Sequence, residues 1–362
     1  MIDVRASRLA KVLVGFSRQV KRGQKVLISG PVAAESLLLE IGREVLRAGG
    51  HAMYRMTPDA AAEVFYAEAG PEQLGFLPRS TLAAAREADH FISVLGETNT
   101  LALAQVDPKK MTIADMARRP LQECVLGKKQ WTLTLFPTAA YAQDAGMGLE
   151  EFEEFAYGAM GVLAKDPLAV WQKAKAMQEK IVKRLRGARQ VRIVGPDTDL
   201  VLSVKGRTFL PCYGSCNMPD GEIFTGPVET SAEGRIRYSF PVCYHGKEVE
   251  DVRLEFEGGK AVKATAAKNE AFLTKMLDMD AGARRLGELG IGTNYGIARF
   301  IKNILFDEKI GGTVHLALGR SYEETGGLNK SALHWDMICD LRQGGRLEVD
   351  GKVLQADGKF RL

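Results

Sequence analysis

The chain has 362 residues, a length that predicts two domains of ordinary size. Hydrophobic residues make up 46% of it and charged residues 26%, a mix that is typical of globular proteins and argues against a disordered or fibrous chain. The net charge of +4 is small and dispersed, which argues against a nucleic-acid-binding protein. No apolar run approaches the ~18 residues that a membrane helix needs, so membrane insertion is not expected.

The cysteines and the N-terminus indicate the compartment. Five cysteines are an odd number at scattered positions, and they predict free thiols rather than a disulfide framework. The first residues lack the apolar core of a secretory signal. Because thiols stay reduced in the cytosol, we predict a cytoplasmic protein.

The first half of the chain alternates short apolar strands with amphipathic helices. Apolar side chains at helical spacing predict helices over residues 5–20, 33–48 and 79–88. Short apolar runs predict strands at residues 25–30, 51–55, 90–96 and 131–136. Alternation at this spacing predicts a mostly parallel sheet covered by helices.

The second half is richer in strands. A long charged helix is predicted over residues 166–187, and after it come β-rich segments at residues 191–194, 200–204, 236–240 and 252–256, with Gly, Pro and Asp turns between them. We therefore predict an α/β protein of two parts. Residues 1–187 form a strand–helix alternating domain that ends in a linker helix, and residues 188–362 form a β-rich α/β domain.

Acidic and imidazole side chains beside turns and glycines stand out in this second part. Glu222 follows a Pro-Asp-Gly turn, Glu288 lies in a glycine-rich segment, and His315 is the one histidine of an apolar strand. Each has an ordinary explanation by itself: a solvated glutamate, a loop residue, or a core histidine with its hydrogen bonds satisfied.

His334 and Asp336 are two residues apart, so in an extended segment they project from the same face. They form a natural pair of metal ligands, or Asp336 orients the His334 imidazole. Buried carboxylates and imidazoles cost several kcal/mol unless they are paired or metal-bound, and one divalent-metal site accounts for these residues and Glu308 together. Nitrogen and oxygen ligands without thiolate suit zinc, cobalt, manganese or iron.

Several segments of the sequence resemble the M29 metallo-aminopeptidases, the aminopeptidase T and S type. The resemblance covers most of the chain, and its more specific motifs lie in the second half. The segments that carry it are Asn217–Pro227, Glu288–Asn294, Phe306–Glu308, His315, Tyr322 and His334–Asp336, with further likeness at Phe136–Thr138, Ala142–Gln143 and Gly195–Leu200.

This resemblance implies an enzyme that holds two divalent metal ions in a cleft and removes N-terminal amino acids from peptides. Zinc or cobalt is the expected metal, with magnesium or manganese as alternatives. The expected substrates are peptides with a free N-terminus, and the expected assembly is a homodimer. The implied metal-binding residues are Glu222, Glu288, Glu308, His315, His334 and Asp336.

Two of the residues acquire a catalytic role by the same resemblance. Glu288 is expected to bridge the two ions and to assist proton transfer from an activated water. Tyr322 is expected near the metals, where it would donate a hydrogen bond to the developing oxyanion. The sequence leaves open whether Tyr322 instead binds metal directly or only ends a strand.

Two other functions remain as alternatives. One is a mononuclear iron dioxygenase of the dihydroxypyridine type, which would use His315, His334 and Asp336 as its iron ligands. That function leaves Glu222 and Glu288 without a role. The other is a non-catalytic binding protein on the same scaffold, which would tolerate loss of the ligands that this sequence contains.

Overall fold

The structure is a computed structural model that describes residues 3–128, 130–244 and 247–361. Two compact units emerge from the pattern of contacts. The first comprises Met1–Val170 and Gly214–Pro219, and the second comprises Trp171–Tyr213 and Asp220–Leu362. The predicted domain boundary at residue 187 stays a prediction.

The helices predicted over residues 5–20, 33–48 and 79–88 are present close to those bounds, while other helices of the first half, such as Pro108–Gly127, were not predicted. The first one continues past Val12 as a π-helix over Leu13–Ser17. Among the helices of the described ranges, none is long and apolar enough to cross a membrane. The helices are α1 (Val4–Val12), α2 (Glu35–Arg47), α3 (Ala61–Glu68), α4 (Pro71–Leu74), α5 (Arg79–Glu87), α6 (Pro108–Gly127), α7 (Ala139–Asp144), α8 (Leu149–Ala159), α9 (Pro167–Leu185), α10 (Glu270–Leu277) and α11 (Ile304–Asp307).

The strands are short, as the spacing of turn residues predicts. They are β1 (Lys25–Pro31), β2 (His51–Thr57), β3 (His90–Leu95), β4 (Trp131–Leu135), β5 (Gln190–Gly195), β6 (Thr198–Ser203), β7 (Leu210–Cys212), β8 (Asn217–Met218), β9 (Glu222–Thr225), β10 (Glu233–Tyr238), β11 (Val242–Tyr244), β12 (Lys247–Val249), β13 (Val252–Glu257), β14 (Lys260–Thr265), β15 (Leu286–Gly292), β16 (Thr313–Gly319), β17 (His334–Asp340), β18 (Arg346–Val349), β19 (Lys352–Ala356) and β20 (Lys359–Phe360).

A parallel sheet organises the first unit. Its strand order is β2-β1-β3-β4-β8, and every neighbouring pair in it is parallel. Parallel strands are usually buried on both faces by helices, which explains the continuous apolar runs of β1 and β3. Val26, Ile28 and Ile92 are fully buried in them. The predicted strand–helix alternation with a mostly parallel sheet is confirmed.

Antiparallel sheets make up the second unit. One sheet has the order β14-β13-β10-β6-β5-β18-β19-β20, and another has the order β17-β16-β15-β9-β7. The helix α9, which was predicted to close the first domain, contributes Ile181 and Leu185 to the core of this second unit. The β-rich character predicted for the second half is confirmed.

The five-stranded sheet of the second unit has two chemically different faces. Side chains alternate between the faces along each strand, because successive residues of a strand point in opposite directions. One face carries Leu289 and Ile291 of β15 and Val314 and Leu316 of β16, all of which are buried in the core. The opposite face carries the polar residues described next.

Candidate metal centre

The acidic and imidazole residues singled out in the sequence converge on the second face of that sheet. Glu222 begins β9, Glu288 lies in β15, and His315 lies in β16. His334 and Asp336 lie in β17, the edge strand of the same sheet. Strand period and register place all five on one face, although more than 100 residues of chain separate the first from the last.

Small residues stand opposite these side chains and leave them room. Directly paired residues of antiparallel strands have Cβ atoms only ~5 Å apart, so two large side chains would crowd each other. A Cβ added to Gly290 would come within 2.0 Å of the His315 ring. The cross-strand pairs are His315 with Gly290, Glu222 with Gly292, Glu288 with Ala317, Asp336 with Ala317, and His334 with Gly319.

Backbone carbonyls fix the orientation of both imidazoles. Nδ1 of His315 lies 3.0 Å from the carbonyl oxygen of Glu308, and Nδ1 of His334 lies 2.8 Å from that of Arg320. A carbonyl oxygen only accepts hydrogen bonds, so each Nδ1 carries the proton and donates it. Nε2 of each ring is therefore the atom aimed at the carboxylates, in the arrangement typical of metal-binding histidines.

Glu288 lies between the two histidines. Its Oε1 is 3.5 Å from Nε2 of His315, and its Oε2 is 3.4 Å from Nε2 of His334. Glu222 Oε2 approaches His315 Nε2 to 3.4 Å, and Asp336 Oδ2 approaches His334 Nε2 to 3.5 Å. Each oxygen of the Glu288 carboxylate thus faces a different cluster of potential ligands.

The ligand atoms form overlapping groups. Within each group, one nitrogen, oxygen or sulfur atom per residue lies within 4.8 Å of the others. Glu222, Glu288, His315 and Asp336 each belong to two of the groups. The two oxygens of Glu288 face different histidines, which suits a bridging carboxylate. The groups are Glu222, Glu288 and His315; Glu288, His334 and Asp336; Glu308, His315 and Asp336; and Cys212, Asp220 and Glu222.

These residues fit a cation, because two of the buried carboxylate oxygens have no hydrogen-bond partner. The two atoms are Glu222 Oε2 and Asp336 Oδ1. Burying a polar atom without a partner costs about 1–3 kcal/mol, and a charged one costs more. A divalent ion bound between the groups would satisfy both oxygens.

The electrostatics of the site also call for positive charge. Burial raises the pKa of Glu222 to about 8, and the neighbouring Glu308 and Glu288 carboxylates add to that rise. Burial alone would lower the pKa of His315, yet its contact with Glu288 and the other acids raises it to about 10. Burial thus disfavours the Glu222 anion, and the acids around His315 favour a positive charge beside them.

The other two predicted site residues lie beside this group. Glu308 follows α11, and its carboxylate contacts the ammonium of Lys309. The hydroxyl of Tyr322 lies 3.5 Å from Nε2 of His334, and its ring packs edge-on against Phe224. Removal from water and the nearby Glu288 raise the pKa of Tyr322, so its phenol keeps the proton that a hydrogen-bond donor needs.

Sequence reasoning missed two charged residues of the site. Lys309 is fully buried, and its Nζ lies 3.8 Å from Glu222 Oε1. Asp220 is also fully buried; the sequence analysis treated it only as part of a turn. Lysine and aspartate are mostly exposed residues, and neither position has a periodic signal that would indicate burial.

Two groups of nitrogen and oxygen ligands joined by one glutamate define a divalent-metal centre on an α/β scaffold. The whole chain also matches a known family. Residues 2–360 match the family model described as thermophilic metalloprotease (M29). This chain belongs to the M29 metalloprotease family, and the resemblance stated from its motifs is confirmed.

Relatives of known name agree with this membership. Aminopeptidase T of Thermus thermophilus is 27% identical over 396 residues, covering 97% of this chain and 95% of the relative. Aminopeptidase 2 of Geobacillus stearothermophilus is 25% identical, covering 97% and 94%. The solved structure of wild-type AmpT from Thermus thermophilus superposes with a TM-score of 0.83 at 26% identity, covering 99% of both chains.

A second solved structure shares the fold alone. The 2,5-dihydroxypyridine dioxygenase from Pseudomonas putida KT2440 superposes with a TM-score of 0.60 at 15% identity, covering 98% of this chain and 96% of that one. At this identity the likeness shows common architecture and does not extend to the reaction.

Replacing Gly290 by alanine should disrupt metal binding without unfolding the protein. The added methyl would collide with the His315 ring and turn Nε2 away from Glu288 and Glu222. We expect a loss of at least about tenfold in metal affinity, the low end of the effect of disturbing a ligand's support. Equilibrium dialysis with elemental analysis measures it. Gly127→Ala is the matched control, because its Cβ meets nothing within 4 Å, and equal affinity in both variants would contradict the prediction.

Proposed function

We propose that this chain is an aminopeptidase that works with two divalent metal ions. The observation that carries the proposal is the pair of ligand groups that share Glu288, one with Glu222 and His315 and the other with His334 and Asp336. Membership of a metalloprotease family and the similarity to proteins named aminopeptidase support it.

The donor set also supports a choice of metals. Carboxylate oxygens and imidazole nitrogens suit zinc and cobalt, and they accept manganese or magnesium. Such ions, when bound, lower the pKa of a coordinated water toward ~7 and polarise a carbonyl group.

Glu288 is our candidate for accepting the proton that the attacking water loses. Burial alone would raise its pKa, but the two histidines on either side lower the pKa of Glu288 to about 2. The carboxylate is therefore ionised and acts as an acceptor. Its position between His315 and His334 would hold it beside any water bound in the centre.

Tyr322 is our candidate for stabilising the transition state. Its hydroxyl remains protonated and lies at the edge of the site, beside His334. From there it would donate a hydrogen bond to the oxyanion that forms on the scissile carbonyl, a contribution of about 3 kcal/mol for a well-placed donor.

Free N-termini are the substrates we propose. A free α-amino group brings positive charge and hydrogen-bond donors to a cluster of buried carboxylates, and pairing with one of them offsets the cost of desolvation. An acylated N-terminus has no such charge. The carboxylate cluster therefore favours cleavage at chain ends over cleavage inside a chain.

The assembly and the compartment remain proposals as well. The resemblance to the family supports a homodimer. None of the five cysteines, all of which lie in the described ranges, forms a disulfide, which is consistent with the cytoplasmic location proposed from composition.

The direct test is hydrolysis of matched peptides by the zinc- or cobalt-loaded protein. We expect release of the first residue from a free peptide and no cleavage of the same peptide with an acetylated N-terminus. Removing the metal with a chelator should abolish the activity, and adding it back should restore it. Product analysis by mass spectrometry checks this; equal cleavage of both peptides, or of neither, would refute the aminopeptidase.

Replacing Glu288 by glutamine tests the shared ligand. The amide keeps the shape and removes the charge, so both ligand groups lose their common member. We expect kcat/KM to fall by more than the roughly 10–100-fold typical of residues that only orient a ligand, together with a loss of bound metal.

The control for this substitution is Glu255→Gln, which changes an exposed glutamate of β13 that pairs with Lys263 at the surface. It should leave both activity and metal content unchanged. Wild-type activity in the Glu288 variant would mean that the centre lies elsewhere.

Replacing Tyr322 by phenylalanine separates the two roles open to that residue. As an oxyanion donor, the hydroxyl contributes to the transition state alone, and its loss should lower kcat by about 10²–10³ with metal content unchanged. The ring contacts with Phe224 and His334 do not need the hydroxyl, so the fold is preserved. Steady-state kinetics and elemental analysis on the same sample check this. Loss of metal along with activity would assign Tyr322 as a ligand instead.

A further inference from the structure

Lys309 is an unusual residue for the interior of a protein. Its side chain has no exposed surface, and its ammonium contacts the Glu308 carboxylate and lies 3.8 Å from Glu222 Oε1. Lysine is almost never fully buried unless it is paired. Here it is paired with the negatively charged carboxylates of the metal centre.

The backbone prevents this lysine from swinging away. The N–H of Lys309 donates to the carbonyl of Phe306 at 3.0 Å, and its carbonyl accepts from the N–H of Asn294 at 3.0 Å. With the backbone held on both sides and the side chain enclosed, the ammonium is a fixed part of the site. It faces one oxygen of Glu222, while the other oxygen faces His315.

The charges of the centre balance for two divalent ions only when this lysine is included. The histidines are neutral when Nε2 binds metal. Five carboxylates and one ammonium leave four negative charges, the charge of two divalent cations. The carboxylates that line the centre are Asp220, Glu222, Glu288, Glu308 and Asp336, and Lys309 is the ammonium among them.

We propose that Lys309 is a built-in counter-charge that sets how much cationic charge the centre accepts, so that it selects two divalent ions over trivalent ones. The inference rests on the proposed divalent-metal function and adds a residue to it. Lys309 acts through Glu308 and Glu222 and is a positioning residue.

Three variants isolate the charge from the volume of this side chain. Lys309→Met removes the charge and nearly keeps the length. Lys309→Gln removes the charge and keeps a polar end. Lys309→Arg keeps the charge.

The experiment is a competition between ions of different charge. The full chain is treated with chelator, dialysed against equal concentrations of manganese(II) and terbium(III), and analysed for both elements. We expect the bound ratio of terbium to manganese to rise at least about tenfold in Lys309→Met, because a unit charge at a few ångströms acts strongly in a partly buried site. Lys309→Gln should show the same rise, and Lys309→Arg should stay within about threefold of the wild-type ratio, since it keeps the net charge.

An unchanged ratio in folded Lys309→Met would overturn the proposal. Circular dichroism covers the case in which that variant does not fold. If Lys309→Met unfolds, the ion ratio of Lys309→Gln decides in its place, and a wild-type ratio there overturns the proposal. If both neutral variants unfold, the lysine is needed for folding and the proposal fails.

The proposed function fails separately. If the wild type binds two manganese ions but cleaves no peptide, the aminopeptidase proposal is refuted. The proposal for Lys309 is then still decided by the bound ratio of terbium to manganese. Wild type that cleaves peptides while Lys309→Met keeps the wild-type ratio would refute only the inference.

Discussion

Negative charge gathered inside a protein is the constraint on which the second unit depends. Glu222 and Glu288 are only 7% and 5% exposed, and they lie within a few ångströms of His315 and of further acids. Carboxylates in such surroundings are stable only with cations beside them. Lys309 supplies one positive charge from the chain itself. The negative charge that remains favours the binding of divalent metal ions. Folding and metal binding should therefore stabilise each other in this unit.

The sheet that bears this charge is held together from its other face. Leu289, Ile291, Val314 and Leu316 bury their side chains in the main core of the unit, and they alternate in sequence with residues of the opposite face. Because strand period is two, the same residues that supply hydrophobic stabilisation fix which neighbours face the centre. A slip of one residue in register would exchange the two faces, so core packing and ligand geometry are specified together.

The sequence predicted strands β1 to β4 of the parallel sheet because each has a local apolar pattern closed by glycine or proline. The fifth strand, the two-residue β8, lies far along the chain and was not predicted. The sequence also predicted the polar residues that now lie around one centre, since their residue types and turns are unusual in apolar surroundings. The small residues that pair with these ligands across the sheet could not be predicted. That Gly290 and Gly292 make room for ligands depends on strand register, a long-range property. Lys309 gave no signal, because a lysine beside a glutamate normally lies at the surface.

The shared architecture with a dioxygenase raises the question of what this chain's side chains favour. A mononuclear iron(II) centre needs two histidines and one carboxylate, which His315, His334 and Asp336 would supply. A single divalent ion would then leave two further buried carboxylates, Glu222 and Glu288, with Lys309 as the ammonium beside them. Burial of charge in excess of its counter-charge costs several kcal/mol per group, which supports the proposed second cation. The number of buried carboxylates, more than the fold, is what favours hydrolysis with two metal ions over oxygen chemistry with one.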